Sequence, residues 1–273
     1  MMVRIACAAL ALFLMVSSPL VAAPAQLLEA LGRWNLDYGE THCIAMRDYG
    51  SREHPITLGI IPAPNGETYE LLIARKRSGP LFAEELQGSV DFGTRPIKAW
   101  LLHYGAKGSK VDIYKYRISA AEMTQAQAAK SVTFHLKGAS DTAFKLDVMP
   151  VLLEGLQKCT DDLKDYWSIG RERNGSVATP ANGDVRRVFT SNDYPAEAMN
   201  RGQEGTAQFL LLINEKGFVV GCHVVKASGI PVLDAMGCIV LQERAKFRPA
   251  RDVSGKPVRS STVTPPVSWR IAG

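Results

Sequence analysis

Five cysteines are the residues of this 273-residue chain with the greatest chemical potential, and their spacing limits the chemistry they can perform. A thiolate can act as a nucleophile, ligate a metal or join another thiol in a disulfide. Cys7 lies in an apolar N-terminal run, which leaves Cys43, Cys159, Cys222 and Cys238 in the rest of the chain. An even number suits disulfides, and four cysteines allow three pairings.

Histidines beside two of these cysteines raise the alternatives of catalysis and metal binding. His42 precedes Cys43, but neighbours along a strand point to opposite faces and are poorly placed to act together as base and nucleophile. Cys222, His223 and Cys238 could ligate zinc, but the sequence has no CxxC pair and no evident fourth ligand. It also lacks a nucleophile elbow, a Gly-rich phosphate loop and an HExxH motif. We therefore expect a protein that is not an enzyme and that uses no metal or cofactor.

The N-terminal residues have the layout of a secretory signal peptide, which decides the redox compartment of the cysteines. Arg4 supplies a positive charge, an uninterrupted apolar run follows it, and Ala-Pro-Ala ends the segment at residues 23–25. The run is shorter than the roughly 20 residues that a spanning helix needs. We predict that residues 1–25 are removed on export, with an inner-membrane anchor through residues 5–25 as the alternative. Exported chains commonly form disulfides.

The exported part divides into two domains where its composition changes. At residues 170–184 the apolar periodicity stops and Gly, Asn, Pro and charged residues take over, which is typical of a linker. This linker separates residues 26–169 from residues 185–273. Each part contains two cysteines, so pairing within each domain is the economical choice. Because the linker offers few apolar residues for docking, we expect the two domains to fold independently.

The first domain is predicted to be mostly antiparallel β structure, closed by a helix. Seven runs have the alternation and composition of strands, at residues 43–49, 55–61, 69–76, 97–104, 110–118, 131–137 and 143–148. A helix follows, because Pro150 suits a first helical turn and leucines recur at helical spacing around Cys159. Cys159 should therefore point inward, where it could be bonded to Cys43 in the opening strand. No motif in this domain indicates a role.

The second domain is predicted to follow the order helix, strand, strand, helix, strand. A short helix begins after Pro195, and a hairpin of two strands turns at Gly217. A helix from about Val232 to Lys246 follows, with Asp234 placed in its first turn, where the helix dipole favours a carboxylate. An extended segment closes the chain. With the first domain, this order predicts an α+β fold.

Basic residues dominate the second domain, since residues 185–273 carry 12 Lys and Arg against 7 Asp and Glu. Four of them lie within eight residues at the end of its second helix and just after it, at Arg244, Lys246, Arg248 and Arg251. A cluster of this size is usually a solvated edge, and an exported protein rarely meets nucleic acid. We expect an anionic partner or surface and no nucleic-acid partner.

The last 80 or so residues resemble the TonB C-terminal domain family. The resemblance rests on the order and spacing of several short pieces, which are Tyr194-Pro195 with Ala198, Gly205, Gly217, VVKASG at residues 224–229, Leu233-Asp234, FRPAR at residues 247–251 and GKPV at residues 255–258. It implies three antiparallel strands backed by two helices and a periplasmic location. It also implies binding of an N-terminal peptide of outer-membrane transporters, in energy-coupled transmembrane transport. The first domain lies outside the resemblance.

Two departures from the family pattern bear on function. Family energy transducers usually carry an anchoring helix and a long Pro-rich spacer, whereas a linker of about 15 residues reaches only roughly 20–25 Å. An energising complex of the inner membrane would then have to be reached through a partner, and a homodimer is left open as well. The alternative function is a secreted periplasmic binding or scaffold module without an energy-transducing role.

The second departure concerns Cys222 and Cys238, which stand where the family commonly has an apolar strand residue and a helix residue. Strand and helix pack together in this fold, so a disulfide between the two cysteines could stabilise it by roughly 3 kcal/mol. That would offset Gly237, since glycine costs about 1 kcal/mol in a helix interior.

The final strand is the predicted partner-binding site. In a three-stranded sheet it should form an edge, whose unpaired backbone groups can bind an extended peptide by strand addition. Pro265 and Pro266 lack N–H groups and should interrupt it with a bulge or bend. We therefore expect a transporter peptide to pair with the residues before the prolines, which are Val258, Arg259, Ser260, Ser261, Thr262, Val263 and Thr264.

Overall fold

The computed structural model describes residues 25–77, 83–106, 108–137, 140–170 and 177–271. Apart from Ala25, the predicted signal peptide lies outside these residues. Within the described ranges, no helix has both the length and the apolar character needed to cross a membrane.

The sheets are antiparallel apart from one short ladder, and helices pack against them, which makes the fold α+β. The strands are β1 (Leu27–Leu28), β2 (Asn35–Tyr38), β3 (Cys43–Gly50), β4 (Pro55–Pro62), β5 (Thr68–Lys76), β6 (Ala83–Asp91), β7 (Ile97–Gly105), β8 (Val111–Ser119), β9 (Ser131–Leu136), β10 (Thr142–Lys145), β11 (Gly205–Ile213), β12 (Val219–Lys226), β13 (Ala250–Arg251), β14 (Pro257–Val258), β15 (Ser260–Val263) and β16 (Val267–Trp269). The α-helices are α1 (Ala120–Met123), α2 (Met149–Tyr166), α3 (Ala196–Asn200) and α4 (Pro231–Arg244). Single 3-10 turns cover Thr124–Gln127, Val185–Val188 and Ser191–Asp193.

The first half of the chain forms a large sheet in the order β1-β10-β9-β6-β7-β8-β5-β4-β3-β2. Its described ladders are antiparallel except the one between β1 and β10. Just after β1, the N–H of Leu31 donates to the carbonyl of Asp48 in β3, the last strand but one at the opposite end of the sheet. Residues 27–31 therefore bring the two ends of the sheet close together. The sheet therefore curves into a half-barrel.

Alternation along the strands separates an inner face of the large sheet from an outer face. In β8, Tyr114, Tyr116 and Ile118 are buried in the core, whereas Lys115 and Arg117 point the other way. The inner face packs against α2 through leucines of that helix, including Leu152, Leu156 and Leu163. This arrangement is the predicted β domain closed by a helix.

Three strands of the large sheet were not predicted, because each lacks a clear alternating pattern. β1 and β2 are short, and β6 begins with the sequence AEELQG. Gly88 in β6 allows a close backbone approach, since a Cβ atom there would lie 2.4 Å from the carbonyl oxygen of His135. The large sheet therefore has ten strands, and the prediction of seven is corrected.

The second half of the chain contains a four-stranded sheet, which corrects the expected three strands. β11 is central, with β12 on one side and both β15 and β16 on the other. The predicted interruption at Pro265 and Pro266 separates β15 from β16, so one extended segment contributes two strands. A further two-stranded ladder joins β13 to β14.

The central strand β11 is covered on both faces, and this covering joins the two halves of the protein. Phe209 and Leu211 pack in a core with α4, whereas Leu210 and Leu212 belong to the core of the large sheet. Separating the halves would expose these two leucines to water. The division into independently folding domains stays a prediction.

The described part of the predicted linker, residues 177–184, is held against the second half of the chain. Val177 is buried, the N–H of Thr179 donates to the carbonyl of Arg251, and the N–H of Asn182 donates to the carbonyl of Arg248. The loss of apolar periodicity in this stretch reflects an irregular backbone that is nonetheless bonded to its neighbours.

Candidate functional site

A cleft of about 840 Å³ lies between the outer face of the large sheet and the second half of the chain. One wall comes from the neighbouring strands β7, β8 and β5, and the other comes from α4 and β12. Alternation explains why polar and apolar side chains reach it, because the residues that these strands direct away from the core are the ones that line the cleft. Its volume lies in the range typical of small-molecule sites.

The walls of the cleft are mostly apolar. On β7, Trp100, Leu102 and Tyr104 line it, while Leu101 between them is fully buried in the core. Ile239 of α4 lines the opposite wall. Trp100 and Ile239 are 45% and 46% exposed, which is high for such large apolar side chains. They are therefore available to a bound molecule.

A cluster of charged side chains also lines the cleft and joins the two halves. The carboxylate of Glu70 lies 2.9 Å from Lys115 Nζ and 3.2 Å from Arg117. Arg117 also donates to Asp234 of α4 at 3.0 Å. Burial acts to raise the pKa of Glu70, but Lys115 and Arg117 outweigh it and lower that pKa to about 2. Burial likewise acts to lower the pKa of Lys115, which Glu70 outweighs, so this pKa is raised. Glu70 and Lys115 therefore form an ion pair at neutral pH.

His223 of β12 lines the cleft as an uncharged side chain. Burial lowers its pKa to about 4, although nearby Glu70 acts in the opposite direction. Its Nε2 atom is buried and has no hydrogen-bond partner among the described residues. The imidazole is therefore neutral near pH 7, and the cleft gains no charge from it.

Both disulfides expected from the sequence are present. Cys43 and Cys159 join β3 to α2 with their Cα atoms 6.1 Å apart, and Cys222 and Cys238 join β12 to α4 at 5.5 Å. The second disulfide lines the cleft. Its sulfur atoms are bonded to each other, so they are not available to the zinc site considered as an alternative.

The helix α4 is capped by a side chain from the other half of the protein. Its own N-cap residue, Ile230, makes no side-chain cap. Instead, the carboxylate of Glu85 in β6 accepts the N–H of Val232 at 2.6 Å and the side-chain amide of Gln203 at 2.9 Å. A carboxylate at this position satisfies a free N–H and complements the helix dipole. Glu85 is buried, so this contact fixes α4 against the large sheet.

Replacing Glu85 with alanine should lower the free energy of unfolding by about 1–2 kcal/mol, because two partly buried donors lose their acceptor. Glu85→Gln keeps one acceptor oxygen and should lose less. Urea denaturation measures both changes. Glu53→Ala, at an exposed carboxylate in a turn, is the matched control and should shift stability by less than about 0.5 kcal/mol. Equal stability of Glu85→Ala and the control would contradict the capping role.

The predicted partner-binding residues do not all lie on one open edge. Val258 pairs with Ala250 in the β13–β14 ladder, and the guanidinium of Arg259 stacks 4.0 Å from the ring centre of Tyr166. Ser260 to Val263 form β15, an edge of the small sheet.

Two N–H groups of β15 point away from the sheet. Thr264 donates its N–H to the carbonyl of Phe209 in β11 at 2.8 Å. Since successive residues of a strand direct their N–H groups to opposite sides, Thr262 also faces β11, whereas Ser261 and Val263 face outward. The outward donors are the ones that an added strand would use.

The described part of the predicted linker lies beside the β15 edge but does not pair with it. Residues 177–183 and β15 line two small pockets of about 20 and 260 Å³ between them. Among the described residues, no backbone hydrogen bond joins this stretch to β15. The larger pocket lies beside Thr262 and Val263, where Val263 is half exposed.

A family comparison gives a match within the second half of the chain. Residues 190–271 match the family described as Gram-negative bacterial TonB protein C-terminal, which confirms the resemblance read from the sequence. This family comprises interaction domains of energy transducers, not catalysts. No curated protein and no solved structure matches the chain. The large sheet and about half of the residues that line the cleft lie outside the matched residues.

Sequence reasoning missed the cleft, although part of its signal was visible. Lys115 and Arg117 alternate with buried tyrosines in β8, which marks a charged outer face on a strand of the core sheet. What the sequence does not contain is the register that sets Arg117 beside Glu70 and the packing that brings Asp234 to it. Those contacts join residues 47 and 117 positions apart.

Proposed function

We propose that this protein is an envelope protein whose TonB-like domain binds an extended peptide of an outer-membrane transporter and so takes part in energy-coupled transport. The observation that carries the proposal is the β15 edge, whose two outward N–H groups pair with no strand among the described residues, in a segment that matches the TonB C-terminal family. Strand addition uses such donors for affinity and neighbouring pockets for side-chain selectivity. The pocket beside Val263 would receive one peptide side chain.

Energy for transport would come through a partner at the inner membrane. The family carries this role through an anchored spacer, and in this chain the described residues form a folded unit on the N-terminal side of the matched domain. The large sheet then takes the place of the spacer and holds the docking edge at a fixed position. The same proposal includes export of the protein to the periplasm and removal of residues 1–25 on export.

Proline substitutions at the edge test the docking mode. Ser261→Pro and Val263→Pro each remove one outward donor, and each should weaken the binding of a synthetic transporter-box peptide several-fold or more. Fluorescence anisotropy of the labelled peptide measures the affinity. Ser261→Ala and Val263→Ala keep the backbone donors and serve as matched controls. The proposal fails if the folded proline variants bind as tightly as the parent, or if the parent binds no box peptide.

A second candidate function is a secreted binding or scaffold module without an energy-transducing role. The apolar cleft favours it, because docking at β15 does not require a second cavity of this size. Fractionation of the native protein with N-terminal sequencing separates the two candidates. A chain that begins near residue 26 and is free of membrane complexes would favour the second.

A further inference from the structure

We propose that the cleft between the large sheet and α4 binds an uncharged amphiphile, with a hydrocarbon body and a head rich in oxygen acceptors. This inference is independent of peptide docking, because the cleft and the β15 edge share no lining residue. It rests on three properties of the cleft, which are its apolar walls, its surplus of N–H donors and its balanced charge.

The apolar walls select the body of the ligand. Trp100 and Leu102 face α4 across the cleft, and Ile239 and Met236 line the α4 side. Because Trp100 and Ile239 keep nearly half of their surface exposed, a hydrocarbon chain between them would remove apolar area from water on both walls. A polar ligand would leave this area unused.

Unused donors select the chemistry of the head. Lys115 makes one described contact, to Glu70, and Arg117 makes two, to Glu70 and Asp234. An ammonium carries three N–H groups and a guanidinium five, so more than half of these donors remain for water or a ligand. The two carboxylates already accept bonds, Asp234 also from the N–H of Ser228 at 2.9 Å. A head with acceptor oxygens matches this surplus.

Charge balance excludes strongly charged heads. Among the lysine, arginine, aspartate and glutamate side chains that line the cleft, Lys115 and Arg117 are opposed by Glu70 and Asp234. Of the two lining histidines, His42 and His223, the buried His223 is neutral. An added anion would lie close to the ionised Glu70, whereas an added quaternary ammonium would accept no hydrogen bond from the free N–H groups. Hydroxyl, ether or carbonyl oxygens accept these bonds without introducing a net charge.

Three amphiphiles with the same eight-carbon chain test the head. Octyl glucoside, octanoate and octyltrimethylammonium are titrated into the full chain below their micellar concentrations, with calorimetry as the measurement. We expect octyl glucoside to bind at least tenfold more tightly than the two charged compounds. Similar affinities for all three would show unspecific adsorption to apolar surface and would overturn the proposal, as would a preference for either charged head.

Substitutions in the cleft test where the ligand binds and which side chains contact its head. Ala235→Trp fills the cleft from α4 and should weaken octyl glucoside binding at least tenfold, whereas Val253→Trp, at a position 85% exposed outside the cleft, should leave it unchanged. Trp100→Ala removes the largest apolar side chain of the sheet wall at a position 45% exposed, and it should weaken binding several-fold while the protein folds. Lys115→Met removes a donor and leaves Glu70 and Asp234 opposed by Arg117 alone, so it should weaken the binding of both compounds and that of octanoate more than that of octyl glucoside.

The same variants separate this inference from peptide docking. Box-peptide binding to Ala235→Trp should equal that of the parent, since Ala235 does not line the β15 edge. If Ala235→Trp and Trp100→Ala both bind octyl glucoside like the parent while remaining folded, the ligand lies elsewhere and the proposal is wrong. If the parent binds octyl glucoside and the cleft variants lose that binding, but the parent binds no box peptide, only the docking proposal fails.

Discussion

Replacing Cys43 and Cys159 together with alanine should lower the free energy of unfolding by about 4–5 kcal/mol, the largest effect that we expect from any local change. The disulfide joins residues 116 positions apart, so it restricts the unfolded chain over most of the first half of the protein. Both cysteines are buried, at 0% and 3% exposure, and alanine also leaves their packing incomplete. Urea denaturation under non-reducing conditions measures the loss.

The second disulfide provides the matched control for this experiment. Cys222 and Cys238 are 16 positions apart, and their replacement with alanine should cost about 3 kcal/mol. Comparing the two losses in the free energy of unfolding tests whether each disulfide stabilises the protein mainly by lowering the entropy of the unfolded chain. If removing the short-range disulfide costs more than removing the long-range one, strain or contacts in the folded state govern the stability instead.

Replacing Gly237 with valine should lower stability by about 3 kcal/mol, although glycine is a poor helix former. A Cβ atom at this position of α4 would lie 2.3 Å from the Cζ atom of Phe209, whose ring is fully buried beneath the helix. The ring cannot move away without displacing its neighbours in the core. Thermal or urea unfolding measures the change.

Two further variants make the Gly237 prediction specific. Ala235→Val, on the same helix but lining the open cleft, has space and should cost less than about 1 kcal/mol. Combining Gly237→Val with Phe209→Leu should restore part of the loss, because the shorter side chain frees room for the valine. Additive losses in the double variant would show that Phe209 is not the obstacle.

Gly237 illustrates where sequence reasoning succeeds and where it stops. The sequence predicts its position in a helix correctly, and it also predicts the disulfide that the next residue of that helix, Cys238, forms with Cys222 of β12. The glycine itself was interpreted as a cost that the disulfide offsets. The structure shows a direct reason for it, which is the close approach of Phe209 from β11. Helical periodicity locates a residue on a helix but does not reveal what packs against it.

The same distinction separates the predicted features from the missed ones. The hairpin at Gly217, the helix around Cys159 and the interruption at Pro265 depend on nearby residues, and all three are present. The fourth strand of the small sheet and the cleft depend on register between distant segments. Glu85 is the clearest case, because the N–H that it caps lies 147 positions away in the chain. No pattern of neighbouring residues predicts that contact.

The pairing of the first strand imposes an order on biosynthesis. Leu27 and Leu28 pair with Ala143 and Phe144 of β10. The first strand to be synthesised therefore cannot pair until residues more than 100 positions later have been made. Contacts of this sequence separation slow folding and leave strand edges exposed in the meantime. If the chain is exported, as its N-terminal residues predict, the half-barrel can close only after β10 has been translocated. Protection of the emerging chain against aggregation would then matter more for its yield than the final stability of the folded protein.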